Sequence, residues 1–320
     1  MQINNMFKNF SSQLNIIKRC RDYGLSLWQC PQFLFLIMGI IIISSAVVLY
    51  LIGTYYFIDP ETVILLVLSV SAVLFIIAYT IVDGVEKLAE ASKMKSDFIK
   101  IVSHQMRSPL TNIKWAFEFL SSKDVSLPED KKEEYFDNIK GNIARMIELV
   151  DDLLIVSKIE QKKFPIFREE VSLEKLTKDL ISRFKVFVEA SRIKLVFHAS
   201  KNLPKIFIDA SLIKLVIENL IDNAVHYTEG GGRIDISIKK EGEKEIIFKI
   251  KDDGIGIPKS SQKYIFQKFF RAKNALRKRS QGNGLGLYIC KAIIEKLGGR
   301  IWFESEENKG TTFYFTLPIK

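Results

Sequence analysis

Hydrophobic and polar positions divide this chain into three regions. Residues 33–58 carry no charge, and neither do residues 62–82. Each run is long enough for a hydrocarbon core of about 30 Å, which needs roughly 20 apolar residues. From Asp83 to Ser122 the pattern becomes helical. Val85, Leu88, Ala91, Met94 (or Lys95), Phe98 and Ile101 trace a seam near heptad spacing. From Val82 to His104 such a helix rises about 33 Å at 1.5 Å per residue, which leaves no room there for another folded module. Ser121 to Asp130 is a polar turn with Pro128. A second amphipathic helix follows over roughly Glu129 to Ile159. Its expected buried stripe is Ile139, Ile143, Met146, Ile147, Val150, Leu153 and Leu154. Two antiparallel helices per chain predict a four-helix bundle on dimerisation.

Beyond a short charged linker, Gln161 to Pro165, the pattern turns mixed. Strands are expected at Lys194–Ala199, Arg233–Lys240, Glu245–Asp252, Arg300–Glu306 and Thr311–Leu317. Helices are expected near Leu173–Ala190, Ala210–Tyr227 and Leu285–Leu297. Strands with helices on one face make an α/β sandwich. The fold class is therefore α+β and multidomain.

Charge sets the expected orientation. Residues 1–32 hold Lys8, Lys18, Arg19 and Arg21 against Asp22, whereas Thr54 to Thr62 has Asp59 and Glu61 and no Lys or Arg. The positive-inside rule then places both termini in the cytoplasm and the nine-residue loop outside. That loop is too short for a ligand-binding domain. Trp28, Tyr50, Tyr55 and Tyr56 fit interfacial belts. The first run starts too deep and is too long for a cleaved signal peptide. The net charge of +10 comes with no nucleic-acid motif, so no nucleic-acid partner is expected. Cys20, Cys30 and Cys290 have no metal-type spacing, and reduced thiols are the simplest reading.

Candidate chemistry begins at Phe98–Leu110. His104 lies beside Ser103 and Gln105 at the rim of a helix whose apolar face is Phe98, Ile101, Val102 and Met106. Pro109 is expected to bend or weaken that helix. Asn219 and Asn223 share a helix face four residues apart, and their carbonyl oxygens suit a hard cation such as Mg²⁺. Asp252 ends a strand, where its carboxylate can accept from an adenine amino group, and Gly254 and Gly256 let the backbone come close. Lys268 and Arg271 are cations able to approach phosphate, as is the basic stretch Lys273–Gln281, expected to be a lid. Gly282, Gly284, Leu285 and Gly286 open a helix whose free amides attract phosphate.

Five stretches, in this order, resemble the signature boxes of sensor histidine kinases. Ser103-His104-Gln105-Met106-Arg107-Ser108-Pro109-Leu110 resembles the H-box, with Gln105 where the family has Glu and Ser108 where it usually has Thr. Asn219–Ala224 resembles the N-box, Asp252–Ile257 the G1 box, Ile265–Arg271 the F-box and Gly282–Leu287 the G2 box. The likeness covers about residues 86–320. It implies a membrane-bound kinase of a two-component system, in which His104 takes phosphate from ATP and passes it to the receiver domain of a separate response regulator. Gln105 would orient the histidine and Ser108 would position water for dephosphorylation. Asn223 would hold Mg²⁺, with Asn219, His226 and Tyr227 near phosphates and base, and Asp252 would read adenine. The implied division is a cytoplasmic segment (1–32), two transmembrane helices (33–82, external loop 54–62), signalling helix and phosphotransfer hairpin (83–161), linker (162–167) and ATP-binding domain (168–320). The implied assembly is a homodimer in the lipid of the cell membrane. Two readings compete with it. One is a degenerate kinase that only docks or dephosphorylates a regulator, which Gln105 keeps open. The other is an ATPase of the gyrase and chaperone superfamily, whose base would be Glu218.

Overall fold

The computed structural model describes residues 30–56, 59–122, 128–161, 165–278 and 282–319. The expectations for residues 1–29 lie outside these. The chain forms two compact units, residues 1–104 and 105–320.

In the first unit, α1 (Pro31–Tyr56) is followed by α2 (Pro60–Ser121), which continues into the second. Both are long and apolar enough to cross a membrane, by length and composition. Leu65, Ile43 and Leu68 are each about two-thirds exposed, a display of apolar surface that water does not favour. The connection is shorter than expected, because Thr54–Tyr56 and Pro60–Thr62 are helical. Asp59 starts α2 by accepting from the Glu61 amide (3.2 Å) and the Thr62 hydroxyl (2.6 Å), and Pro60 at the first helical position loses no hydrogen bond. Gly53 lies where any side chain would meet buried Val63. Cys30 is disulfide-bonded, which corrects the expectation of reduced thiols. Cys290 is free and buried.

α2 runs through Pro109 without ending. In the second unit its last turns meet α3 (Glu129–Glu160) where Phe119 stacks on Tyr135 at 5.5 Å. Of the expected stripe of α3, Ile139, Met146 and Leu153 are half-buried and Ile143, Ile147, Val150 and Leu154 are exposed. Leu149 and Val156, which lie outside that stripe, are the buried apolar residues, so the helix has a second apolar face. One helix carries both because the apolar positions span more than a single 3.6-residue stripe.

The remaining elements are β1 (Glu169–Val171), α4 (Leu173–Ala190), β2 (Lys194–Ala199), β3 (Ile206–Ile208), α5 (Ala210–Tyr227), β4 (Arg233–Glu241), β5 (Glu245–Asp252), α6 (Lys259–Gln262), α7 (Lys273–Lys278), α8 (Gly286–Lys296), β6 (Ile301–Glu306) and β7 (Gly310–Pro318). Five strands form one sheet in the order β2-β4-β5-β7-β6, antiparallel except β2 with β4, and β1 pairs with β3 apart from it. Alternation along β4 and β5 buries Ile234, Ile236, Ile238, Ile246, Phe248 and Ile250. Phe248 stacks on its cross-strand neighbour Phe315 at 4.6 Å. α4, α5 and α8 cover this face, α5 with eight buried residues from Leu212 to Val225. On the other face Trp302 stacks on Tyr314. Asp209 caps α5, accepting from the Ser211 and Leu212 amides, and also binds the Phe167 amide (2.8 Å). Burial pushes its carboxyl up, but bonds from Ser211, Phe167 and Leu212 outweigh this and hold it below its ordinary value.

Candidate functional site

The site lies where β5 ends. Asp252 is buried at this point, and its Oδ1 accepts from the Gly254 amide (3.0 Å) and the Thr311 amide (3.2 Å). Burial pushes its carboxyl up to about 6, against the pull of those amides. The turn after it is pinned on both sides. The Ile255 amide donates to the Tyr227 carbonyl at the end of α5 (3.2 Å), and the Ile255 carbonyl accepts from the Asn308 amide (2.9 Å). Gly256 sits at φ +61, and any side chain there would collide with the Glu306 carbonyl.

α5 supplies the next wall. Asn219, Asp222, Asn223 and Tyr227 all line one pocket with Asp252 and Gly256. The turn into α8 closes it with Gly282, Asn283, Gly284 and Gly286. A side chain at Gly286 would strike the Asn219 Oδ1 and force that amide to move. The Phe269 amide donates to the Gly284 carbonyl (2.9 Å). This holds Phe269 at φ +61, which costs a bulky residue about 1–2 kcal/mol. α7 is tied across the opening by Asn274 Nδ2 to the Gly256 carbonyl (2.9 Å) and by Lys278 to Glu229 (3.1 Å). Part of the basic stretch is thus a helical wall. Residues 279–281 lie outside the described residues.

The pocket brings together Asn219, Asn223, Tyr227, Asp252, Gly256, Arg271, Gly282, Gly284 and Gly286 from the candidate set. Four candidates lie elsewhere. His226 is exposed, with Nδ1 at the Asp222 carbonyl (2.9 Å). Gly254 borders a neighbouring hollow with Glu229 and Asp253. Lys268 pairs with Glu160. Leu285 is fully buried under the turn, its amide donating to Asn283 Oδ1 (2.9 Å). Asp222, Asn283, Glu148 and Asp152 also line the pocket without having been singled out, and Asn274 lines it from within the expected lid. Asp222 and Asn283 sit inside recognised boxes and were open to notice. Glu148 and Asp152 come from α3, and nothing local ties them to a pocket more than 60 residues further on. Glu218 pairs with Arg183 and Lys214 (3.7 Å each) and does not line the pocket. On α2, His104 and Ser108 are exposed and Gln105 is half-buried.

Residues 94–162 match the His Kinase A (phospho-acceptor) domain, and residues 208–320 match the Histidine kinase-, DNA gyrase B-, and HSP90-like ATPase family. The chain belongs to the sensor histidine kinases. Among its relatives are the sensor histidine kinase WalK of Bacillus subtilis (33% identical, 73% of this chain, 38% of the relative) and the adaptive-response sensory kinase SasA of Crocosphaera subtropica (33%, 73% and 62%). The chain thus spans about two-fifths to three-fifths of those relatives. Among solved structures, histidine kinase ThkA in complex with response regulator protein TrrA aligns at 26% identity and TM-score 0.55, over 73% of this chain and 64% of that one. The Acinetobacter baumannii histidine kinase AdeS shares the fold at TM-score 0.56 and 21% identity, over 68% of this chain and 98% of that one.

Two glycines test the pinned turn. Gly242, at φ +60, has open space around its Cβ position. Gly242→Ala should cost only the left-handed penalty, about 1–2 kcal/mol. Gly256→Ala adds the collision with the Glu306 carbonyl, so chemical denaturation should show the larger loss. Equal losses would mean the turn is not pinned.

Proposed function

We propose that this chain is a membrane-anchored sensor kinase that phosphorylates itself on His104 with ATP and passes the phosphoryl group to an aspartate of a separate response-regulator receiver domain. The carrying observation is an exposed H-box histidine in the same chain as a pocket built from the N, G1, F and G2 boxes. The ThkA–TrrA complex supports the partner class. α1 and the apolar half of α2 would hold the chain in the membrane, with both termini cytoplasmic. A second copy would cover the exposed face of α3, giving the four-helix bundle. The domain limits proposed from sequence stand on this reading.

In the pocket, Asp252 accepts from the adenine amino group, and the amides opening α8 face the phosphates. The rim formed by Asn219, Asp222 and Asn223 offers oxygen donors, and no cluster of three or more His, Cys, Asp or Glu exists among the described residues. That set fits Mg²⁺, which takes few protein ligands and keeps phosphate oxygens and waters. Bound at Asn223, the ion would supply neutralisation of phosphate charge. One ring nitrogen of His104 attacks the γ-phosphorus in line as the bond to ADP oxygen breaks. Gln105 accepts from the other ring N–H through its carbonyl and so fixes the tautomer, but the proton itself must go to water. Ser108 offers its hydroxyl to position a water that attacks the phosphorus of the regulator's phosphorylated aspartate, releasing phosphate and the free carboxylate. Glu218, engaged by Arg183 and Lys214, disfavours the ATPase reading.

Two expectations follow from these roles. Asp252→Asn should lower the preference for ATP over GTP roughly ten- to hundredfold, since a charge-assisted bond contributes about 1.5–3 kcal/mol. In the parent the same preference should fall as pH drops through about 6, where the carboxyl protonates. The sign for stability is opposite. A raised carboxyl favours the protonated fold, so the domain loses stability as pH rises from about 4 towards 6. Competition binding at pH 5 and pH 8 reads the preference, and a pH-independent ratio would remove Asp252 from base recognition.

For the reaction, His104→Gln should abolish acid-labile label from ATP while nucleotide binding persists. Gln105→Glu should accelerate labelling and Gln105→Leu should nearly stop it, because a general base contributes about 10²- to 10⁴-fold. A Glu variant no faster than the parent means proton removal does not limit the rate. A parent that labels only as the Glu variant supports the regulator-docking alternative.

A further inference from the structure

The α/β sandwich does not build the pocket alone. Glu148 and Asp152, four residues apart on one face of α3, also line it. Asp152 Oδ2 accepts from Asn283 Nδ2 at 2.5 Å, while Asn283 Oδ1 accepts the Leu285 amide. The turn that opens α8 is therefore fastened to the hairpin helix. Further along α3, Glu160 pairs with Lys268, whose ammonium also lies 5.0 Å from the Tyr288 ring centroid. Between these polar contacts Val156 is fully buried, and Ile159 shares a hollow with Tyr288. The docking thus has an apolar centre with a carboxylate contact at each end, an amide donor for Asp152 and an ammonium for Glu160.

Two carboxylates are an odd lining for a pocket whose backbone amides and helix N-terminus favour anions. Asp152 takes the Asn283 amide at the turn into α8, and both carboxylates carry the same sign as phosphate. Burial pushes the Asp152 carboxyl up to about 6, the bond from Asn283 pulls it down, and Glu148 and Asp151 push it up again. Burial thus disfavours the charged carboxylate here, and its bond from Asn283 is what offsets that.

We propose that α3, docked through Asp152–Asn283 and Glu160–Lys268, is a self-blocking element: its carboxylates compete with nucleotide phosphates, so nucleotide binding and release of α3 are coupled. The proposal rests on reading the pocket as a nucleotide site. Linkage makes the coupling reciprocal, and whatever releases α3 tightens nucleotide binding by the same factor. Such couplings typically span about 5- to 150-fold.

The test uses the full chain in lipid nanodiscs with a non-hydrolysable ATP analogue. Binding is titrated, and amide hydrogen exchange is followed over residues 148–160 and 282–296. Adding the analogue to the parent should raise exchange over 148–160. Asp152→Ala should raise it without nucleotide and tighten binding about tenfold. Glu160→Lys should act in the same direction, and adding Lys268→Glu should restore the parent's behaviour. This second pair keeps the test decisive if Asp152→Ala fails to fold. If folded variants bind the analogue no tighter than the parent, with unchanged exchange, the self-blocking role is wrong. If the parent binds no nucleotide at all, the nucleotide reading itself is overturned, and this proposal with it.

Discussion

The site depends on a carboxylate held where a carboxylate is costly. Asp252 ends β5 inside the protein, and two backbone amides take its Oδ1. Those amides belong to the turn after β5 and to the start of β7, so one buried acceptor fixes two separate segments. β7 can come this close because its first residue is Gly310, where any side chain would strike the Asp252 carbonyl. From there the constraint spreads by close contact. The turn binds the end of α5 through Tyr227, α5 meets α8 at Asn219 and Gly286, and the turn into α8 clasps Phe269. Unsatisfied, a buried acceptor of this kind would cost several kcal/mol. Satisfied, it gives the pocket a fixed floor.

Much of this was legible from residue pattern, for a physical reason. The central strands alternate buried and solvated positions, and α5 carries an apolar stripe, so period alone places them. Lys194–Ala199, Glu245–Asp252, Leu173–Ala190 and Ala210–Tyr227 have the expected limits. β1 and β3, three residues each, are too short to show a period. The connection after α1 came out shorter than expected because absence of Lys and Arg marks a side of the membrane and not a break in helix.

The pocket was legible in part. Glycines and amides cluster in short boxes because close approach and phosphate binding are local demands. The Glu160 partner of Lys268 was not legible, because a cation's partner depends on tertiary neighbours. Glu148 and Asp152 were missed for the same reason. On sequence they are polar positions of an amphipathic helix, and only the docking of that helix gives them a role. The stripe read from α3 likewise missed Leu149 and Val156, because the sequence does not say which apolar positions of a helix face the rest of its chain.

The central claim is that one chain holds both the nucleotide site and the phosphoryl acceptor. Intact mass spectrometry of the full chain after incubation with ATP and Mg²⁺ tests this most directly. The account predicts a single added phosphoryl group that is lost in acid, persists in alkali and maps to the peptide containing His104. Free phosphate released with no protein-bound intermediate, or a phosphoryl group mapping elsewhere, would contradict it.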